Sequence, residues 1–350
     1  MPSLATELAT RDGAGPGRET LATTHSRRNL LLGLAAAGLG GKALAIVGKG
    51  RLSRRLGVQL YVLGQAPMPG RASAADLPRG LKALSDIGYR EVEGAPPGVT
   101  AEAYRRELDR VDLVCPSIHV ALEPSIFGAL SLTDLPNVIA YAKIVGAKNL
   151  VVAAPPFGAL LAKRPDAQAL SGDIARLSAV LTSLVNAMSA ADWIDIARQL
   201  NESGAKVAAA GLRIGYHNHN AEFATLANGA RAYDLLMAHT DRRIVDFELD
   251  MGWARAAGLD PAALLKRYSG RITQLHLKEL ADTTANISGN LNSVDMGRGV
   301  QNWSAIVDAI RSSSVRHVYF EQEPPYPVSG IQSAAAAYAF LQPLLAKKGL

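Results

Sequence analysis

The fold is indicated most clearly by one stretch of the chain, Gly211-Leu212-Arg213-Ile214-Gly215-Tyr216-His217-Asn218-His219. A glycine of the kind that ends helices is followed at once by a short, mostly apolar run, which ends in polar side chains. This order is typical of a parallel α/β unit, because parallel strands need a crossover connection that is usually a helix. We therefore predict a strand over Leu212–His217.

The same unit recurs on both sides of that stretch. After Gly57, short apolar runs alternate with longer amphipathic stretches. The predicted strands are Gly57–Leu63, Glu91–Gly94, Leu113–Val120, Asn149–Ala153, Leu212–His217, Ile244–Leu249, Ile272–Leu277 and Val315–Glu321. The helices predicted between them include Leu77–Ile87, Leu135–Val145, Ala227–His239, Pro261–Tyr268 and Trp303–Ile310. Eight units over about 290 residues predict an α/β protein with a single (β/α)8 TIM barrel over residues 50–350.

Local signals support these boundaries. Asp76 and Asp260 each precede a proline-containing helix start, where a capping Asp is favourable. Glycines at 88 and 146 come just before a predicted strand, as helix ends require. The longest insertion, Pro155–Gly211, separates the fourth and fifth strands. The chain has neither a G-x-G-x-x-G after its first strand nor a G-x-x-x-x-G-K-[ST], so a nucleotide-binding fold is not expected.

Residues 1–45 are predicted to be an export signal rather than part of the fold. The sequence Ser26-Arg27-Arg28-Asn29 is followed by a short apolar stretch to Leu39, and Ala43 and Ala45 form a small-x-small cleavage pattern. Twin arginines favour the Tat route, so we expect a periplasmic or secreted protein that meets the Tat machinery. The apolar stretch is about half of the ~20 residues that span a bilayer, so no stable membrane insertion is expected after cleavage. An uncleaved N-terminal anchor is the alternative.

Charge and cysteine content narrow the possible partners. The formal net charge is +6, and residues 1–45 hold five basic and three acidic side chains, which leaves +4 on the remainder. That remainder contains no basic run interleaved with aromatic residues, so a nucleic-acid partner is not expected. Cys115 is the single cysteine, which excludes an intramolecular disulfide and a cysteine-based zinc site.

Polar side chains gather at the predicted strand ends, which in a (β/α)8 barrel converge on one mouth. They are Gln59, Tyr61, Glu93, His119, His217, His219, Glu222, Glu248, Asp250, His276, Lys278, Glu321 and Glu323. Four of the seven histidines fall in this set. An acid that ends an apolar strand is costly to bury unless it is neutralised. Imidazoles and carboxylates that meet at one point suit a divalent cation such as Mn²⁺, Mg²⁺, Zn²⁺ or Co²⁺.

Five motifs together resemble one family. They are Tyr216–Phe223, Glu248-Leu249-Asp250 with Gly252-Trp253, His276-Leu277-Lys278-Glu279, Gly297-Arg298-Gly299 and Glu321-Gln322-Glu323. Their order resembles that of the sugar phosphate isomerase/epimerase family, the xylose isomerase-like TIM barrels, over roughly residues 57–345. The resemblance implies a divalent metal at the barrel mouth.

The resemblance also implies the metal ligands. They would be Asp250, His276 and Glu321. Many relatives have a fourth ligand, a Glu inside strand five, and His217 stands at the aligned position here. Either His217 binds the metal or Glu222 reaches it from the following loop.

The candidate catalytic residues are Glu222, Glu321, His219 and Lys278, with the two carboxylates as proton handlers. The candidate substrate-binding residues are His119, Trp253 and Arg298. For some of these a structural role is an equal alternative. Lys278 could face a substrate oxyanion or pair with Glu279, and Trp253 could line a sugar face or pack in the core. Arg298 could hold a substrate oxygen or be a solvated loop charge.

A metal flanked by acids acidifies a C–H bond next to a carbonyl and stabilises the enediolate that results. The first hypothesis is therefore a metal-dependent isomerase or epimerase that acts on a small-molecule carbohydrate. An exported enzyme would meet an unphosphorylated sugar or keto-sugar. The alternative is a 3-keto-glycoside lyase or hydratase that uses the same enolate, and a non-catalytic sugar-binding barrel is a third reading. Apurinic endonucleases share the fold, but the low charge of +4 argues against a DNA groove.

Overall fold

The computed structural model describes residues 56–64, 76–124, 129–164, 174–283, 292–323 and 326–350. Within them, eight parallel strands close into one barrel with helices on the outside, which confirms the predicted TIM barrel. The predicted export signal at residues 1–45 lies outside the described residues. Among the helices that are described, none is both long enough and apolar enough to cross a bilayer.

Each strand pairs with its neighbour in the chain, and the eighth closes on the first. The strands are β1 Gly57–Gln59, β2 Glu91–Glu93, β3 Val114–Val120, β4 Asn149–Val152, β5 Arg213–His217, β6 Val245–Asp250, β7 Ile272–Leu277 and β8 His317–Phe320. All eight overlap the predicted strands, most of them with ends shifted by one or two residues.

Eleven α-helices are present in the described residues. They are α1 Leu77–Ile87, α2 Ala101–Arg110, α3 Leu135–Val145, α4 Phe157–Leu161, α5 Ile174–Asn186, α6 Ala190–Ala209, α7 Ala232–His239, α8 Met251–Ala256, α9 Pro261–Arg267, α10 Trp303–Arg311 and α11 Gly330–Lys347. The insertion between β4 and β5 holds α4, α5 and α6. The last of these begins with a capping box, because the Ser189 hydroxyl accepts from the Asp192 N–H and the Asp192 carboxylate accepts from the Ser189 N–H.

Two predicted elements have one end wrong by more than two residues. The first strand was predicted over Gly57–Leu63, but it ends at Gln59 and continues as a 3-10 turn over Leu60–Leu63. The cause is local, since Gln59 Oε1 accepts a hydrogen bond from the Tyr61 N–H at 2.6 Å. The helix predicted over Ala227–His239 begins only at Ala232. Before it, the Leu226 N–H donates to the Ala230 carbonyl and closes a turn.

Of the two predicted Asp caps, one forms and the other does not. Asp260 caps α9 as expected, because its carboxylate accepts from the Ala262 N–H at 2.9 Å. Asp76 precedes α1 but makes no capping bond, and its carboxylate pairs with Arg79 instead. Gly146 follows α3 with a φ of +93°, a conformation that glycine adopts without strain, so the helix ends there as predicted.

Strand register brings polar side chains together inside the barrel. His217 on β5 is the register partner of Glu248 on β6, and Asp250 on β6 is the partner of His276 on β7. Glu248 and Asp250 are two residues apart, so they point to the same, inner face of the strand. All four side chains are at most 3% exposed. The apolar core therefore lies between sheet and helices, while the barrel interior at this end is polar.

Candidate active site

Three predicted ligands form a compact group at the mouth. Asp250 ends β6 and caps α8, because its Oδ1 accepts from the Trp253 N–H at 2.8 Å. Its other oxygen, Oδ2, faces His276, whose Nδ1 lies 3.9 Å away and only 2.9 Å from Glu321 Oε2. The three donor atoms lie within 4.8 Å of one another and can hold one cation. We call Asp250, His276 and Glu321 the upper cage.

Lys278 is fully buried beside the upper cage. Its Nζ lies 2.9 Å from Asp250 Oδ2, 2.9 Å from Glu321 Oε2 and 3.0 Å from Glu323 Oε1. Burial alone would lower the pKa of Lys278, but these three carboxylates raise it well above its usual value. For Glu321, burial alone would raise the pKa. The positive charges of Lys278 and His276 instead hold the pKa of Glu321 well below its usual value. The Lys278 side chain is therefore a buried ammonium.

The alternative pairing of Lys278 with Glu279 is not what the structure shows. Glu279 is buried on the far side of the loop after β7 and accepts from the Trp303 indole N–H at 2.5 Å. It also accepts from the backbone N–H groups of Gly297 at 3.1 Å and Gln301 at 3.0 Å. Glu279 thus organises its own loop.

A second group of titratable side chains lies one layer deeper, around Glu93 on β2 and Glu248 on β6. His276 Nε2 is 2.5 Å from Glu93 Oε2 and 3.2 Å from Glu248 Oε2. Glu248 Oε2 is also 3.0 Å from His119 Nε2 and 3.0 Å from His217 Nδ1. Burial and the nearby charge of Glu93 raise the pKa of Glu248 to about 7. We call Glu93 and Glu248 the deep carboxylates.

The sequence placed both deep carboxylates at strand ends but gave them no role. A signal was present for Glu248, since it stands two residues before Asp250 and so shares its face of β6. Its contact with His119 on β3 depends on how the barrel closes, which alternating polarity does not reveal. Burial would lower the pKa of His119, and Glu93 and Glu248 raise it to about 10 instead.

The structure separates the two candidates for the fourth ligand. His217 lines the cavity at the mouth. Glu222 is fully buried in the turn after β5, where Oε1 accepts from the Tyr216 hydroxyl at 2.8 Å and Oε2 accepts from the His219 N–H at 2.9 Å. Both of its oxygens are engaged there, and burial raises its pKa. The fold therefore brings His217, and not Glu222, to the mouth.

The other predicted site residues lie at different distances from the chemistry. His119 and His219 line the cavity. Burial and the ammonium of Lys278 lower the pKa of His219 to about 3. Trp253 packs against His219 and Lys278. Its ring centroid lies 5.2 Å from that of His219 and 5.3 Å from Lys278 Nζ. Arg298 is exposed on its loop and does not line the cavity.

The cavity at the mouth has a volume of about 270 Å³ and two contrasting sides. Its polar side is formed by Gln59, His119, His217, His219, Glu321 and Glu323. The loops after β1 to β4 form an apolar side that includes Leu60, Pro96, Pro97, Leu122, Pro155 and Phe157. Among the described residues that line this cavity there is no lysine or arginine.

The donor set fits a divalent cation. Asp250 Oδ2 is buried, and within the described part of the chain no donor meets it in good hydrogen-bond geometry, although Lys278 Nζ is near. Carboxylate oxygens with one or two imidazole nitrogens are ligands that Mn²⁺, Co²⁺ and Zn²⁺ accept. Asp250, His276 and Glu321 would hold the ion, with His217 beside them.

Comparison with known proteins places this site in context. An inosose dehydratase from Clostridium tetani (strain Massachusetts / E88) is 30% identical over 96 residues, which are 27% of this chain and 31% of that protein. The matched region thus spans about a third of that relative. A solved sugar phosphate isomerase/epimerase from Parabacteroides distasonis ATCC 8503 has a TM-score of 0.60 at 20% identity and covers 87% of this chain and 98% of that one.

A second solved structure, described as the IOLI protein with a binding zinc atom, has a TM-score of 0.57 at 14% identity and covers 84% of this chain and 98% of that one. At such identities the two structures show the fold alone. The model of the family described as xylose isomerase-like TIM barrel matches residues 81–344, which is most of the chain. The protein therefore belongs to the xylose isomerase-like TIM barrel family.

Proposed function

We propose that the protein is a metal-dependent lyase that eliminates a group β to the carbonyl of an unphosphorylated keto-sugar. The observation that carries the proposal is the upper cage, in which donor atoms of Asp250, His276 and Glu321 lie within 4.8 Å of one another and Glu321 also lines the cavity. A divalent cation bound there would supply Lewis acidity toward a carbonyl oxygen of the substrate. The remaining chemistry is the movement of one proton.

Glu323 is the group best suited to move that proton. It lines the cavity, and burial raises its pKa to about 7 even though Lys278 acts in the opposite direction. A general base works best when its pKa is near the ambient pH. The ionised Glu323 takes the proton from the carbon next to the carbonyl. The electrons of that C–H bond form the new C=C bond as the β C–O bond breaks. The carboxylic acid then protonates the leaving oxygen, which returns Glu323 to its ionised form.

Neighbouring side chains position the substrate and the base. Lys278 Nζ lies 3.0 Å from Glu323 Oε1 and so fixes the carboxylate at the cavity wall. His219 is neutral at pH 7, because burial and Lys278 lower its pKa to about 3. Its imidazole can therefore accept a hydrogen bond from a sugar hydroxyl.

The charge of the cavity supports an unphosphorylated substrate. Phosphate groups are bound by arginine, lysine or the N-termini of helices. The described lining residues contain no lysine or arginine, and they include three carboxylates, Glu123, Glu321 and Glu323. Lys278 pairs with Glu321 and Glu323 from a fully buried position and does not line the cavity, so the described wall presents carboxylates and no lysine or arginine to a ligand, which disfavours a phosphate.

The choice of elimination over isomerisation is supported by the curated relative, whose name denotes a dehydratase, an enzyme that eliminates water. The second candidate is an isomerase or epimerase, the activity for which the solved structure of the same fold from Parabacteroides distasonis is named. In that case Glu323 would return the proton to a carbon of the sugar.

The test is to incubate metal-loaded protein with p-nitrophenyl 3-keto-glucoside in D₂O. Elimination predicts p-nitrophenol release that Glu323→Gln and Asp250→Asn each lower at least ~100-fold in kcat/KM. Glu91→Gln is the matched control, because Glu91 contacts His317 and takes no part in either the upper cage or the deep carboxylates. Deuterium uptake without p-nitrophenol would overturn the lyase in favour of the epimerase. Neither exchange nor release across a panel of keto-sugars would overturn both.

Export by the Tat route is proposed separately, from the twin arginines at 27 and 28. Cell fractionation tests it. The natural chain is expected in the periplasm or medium, and replacement of both arginines by lysine should retain it in the cytoplasm.

A further inference from the structure

The apolar side of the cavity takes no part in the metal and proton chemistry described above. We propose that it binds an apolar ring carried by the leaving group, so that the substrate is an aryl glycoside of the keto-sugar. We call Pro96, Pro97, Leu122, Pro155 and Phe157 the aglycone wall, after the non-sugar part of a glycoside. The inference rests on the proposed function for which part of the substrate leaves, but the preference for an apolar ring can be measured without any reaction.

The aglycone wall stands across the mouth from the proposed base. It comes from the loops that follow β2, β3 and β4. Glu323 follows β8, and in a closed barrel of eight strands β8 lies opposite β4, whose loop carries Phe157. Both side chains line the same cavity. The space beside a sugar that is held at Glu323 therefore ends at the aglycone wall.

These loops offer few hydrogen-bond donors to a ligand. A proline has no backbone N–H, and five prolines line the cavity, namely Pro96, Pro97, Pro124, Pro155 and Pro156. The backbone N–H groups of the lining residues Gly94, Ala121 and Phe157 already donate to carbonyl oxygens of the protein. Hydroxyl groups of a second sugar would lose water at this wall and gain few partners, which is costly. An apolar ring would gain from the same loss of water.

Hydrogen bonds hold the aglycone wall in place before a ligand binds. Glu123 is the only charged side chain among the described lining residues of these three loops, and its Oε1 accepts from the Ala159 N–H at 2.6 Å. This bond ties the loop after β3 to α4, which begins at Phe157. The Phe157 N–H donates to the Pro155 carbonyl at 2.8 Å. A wall that is already ordered costs little to organise when a ligand binds.

The size of the cavity favours a single small ring. Its volume of about 270 Å³ is close to the lower end of the ~300–1,000 Å³ that is typical of ligand clefts. That space suits one sugar with one ring attached better than an oligosaccharide. Phe157 is only half-buried, so part of its ring can contact the ligand, and pairs of aromatic rings are favourable beyond the area that they bury. Phe157 is therefore the residue that should determine specificity for the aglycone.

Calorimetric titration of the metal-loaded protein with phenyl β-glucoside and with methyl β-glucoside tests the inference. The two ligands share the sugar, and neither has a carbonyl group that could react. The phenyl glycoside should bind at least ~10-fold more tightly, because its ring is buried against the wall. Phe157→Ala should remove most of this preference without changing the affinity for the methyl glycoside, and Phe157→Leu, which keeps an apolar side chain, should retain part of it. Phe340→Ala is the matched control, since that ring packs 6.1 Å from Trp303 and does not line the cavity.

Equal affinities for the two glycosides, no binding of either, or a preference that Phe157→Ala leaves intact would overturn the inference. The result is separate from that of the elimination test. A chain that prefers the phenyl glycoside but releases no p-nitrophenol would retain the aglycone wall and lose the proposed lyase. A chain that releases p-nitrophenol but binds the two glycosides equally would retain the lyase and lose the wall.

Discussion

Lys278 Nζ lies 2.9 Å from Asp250 Oδ2 inside the barrel, and both side chains are fully buried. Two more carboxylates, those of Glu321 and Glu323, lie within 3.0 Å of the same nitrogen. The ammonium is thus the nearest positive charge to three acids that the proposed reaction uses. Its removal affects both the stability of the barrel and the affinity of the cage.

Lys278→Met is expected to lower the free energy of unfolding of the metal-free protein by about 3–5 kcal/mol, because it leaves buried carboxylates without a cation. Urea unfolding followed by circular dichroism measures the change. Lys82→Met is the control, since the pair between Lys82 and Asp86 is exposed and contributes only about 0.3–0.5 kcal/mol. Equal losses in the two variants would contradict the role given to Lys278.

Gly252→Ala is expected to displace Lys278. A Cβ at position 252 would lie 2.7 Å from the Cβ, Cγ and Cδ atoms of Lys278, a contact that forces one of them to move. Overpacking of this kind costs about 1–3 kcal/mol, and the shift should also lower the rate of the catalysed reaction. Gly215→Ala is the matched control on β5, where a new Cβ meets its nearest neighbour at an ordinary 3.5 Å. If the control loses as much stability and activity as Gly252→Ala, the contact with Lys278 is not the cause.

The stability of the metal-free protein should fall in acid because of His219. The pKa of His219 is lowered to about 3 by burial and by Lys278, whereas an unfolded histidine titrates near 6.5. Between these values the unfolded chain binds a proton that the folded chain does not, so stability is lost as the pH falls from about 6.5 toward 3.

The slope of the unfolding free energy against pH, measured from pH 7 to pH 4, should therefore be smaller in His219→Asn than in the natural chain, by up to about 1.4 kcal/mol per pH unit. His239→Asn, at an exposed helix end, provides the comparison. An unchanged slope in His219→Asn would contradict the assignment.

A divalent ion should stabilise the folded chain by mass action. At about 100 times its dissociation constant, a ligand that binds only the folded state adds about 2.7 kcal/mol. Addition of Mn²⁺, Co²⁺ or Zn²⁺ should therefore raise the Tm measured by differential scanning fluorimetry, and chelation of the ion should reverse the shift. Asp250→Asn should abolish most of it, while Glu91→Gln should retain it. A shift that survives Asp250→Asn would place the ion outside the upper cage.

Much of the fold was predictable because its signals are local. Runs such as Ile272–Leu277 are strands between capped helices, and β7 has the bounds predicted for it. The upper cage was predictable for a related reason. Strand ends in a (β/α)8 barrel converge, so a polar residue at the end of an apolar strand indicates where it lies before any contact is known.

The remainder depends on contacts that sequence spacing does not specify. Glu93 and His276 are 183 residues apart and meet only because the barrel closes between β8 and β1, which brings β2 and β7 to within three strands of each other. His217 is the last residue of β5, and Glu222 lies in the turn that follows. The sequence alone does not show which of the two reaches the mouth, because the Tyr216 hydroxyl holds Glu222 in the turn. The end of β1 was likewise set by the side chain of one residue, Gln59.

The two-sided cavity has a consequence for how such a protein can diverge. The residues proposed to bind the ion and to move protons lie on or just after β5 to β8, whereas Leu60, Pro96, Leu122 and Phe157 stand on separate loops past the first four strands. Substitutions or insertions in those loops would remodel the space for the substrate without shifting the register that pairs Asp250 with His276. New substrate ranges can therefore arise by exchange of loops alone, while the inherited chemistry is kept intact.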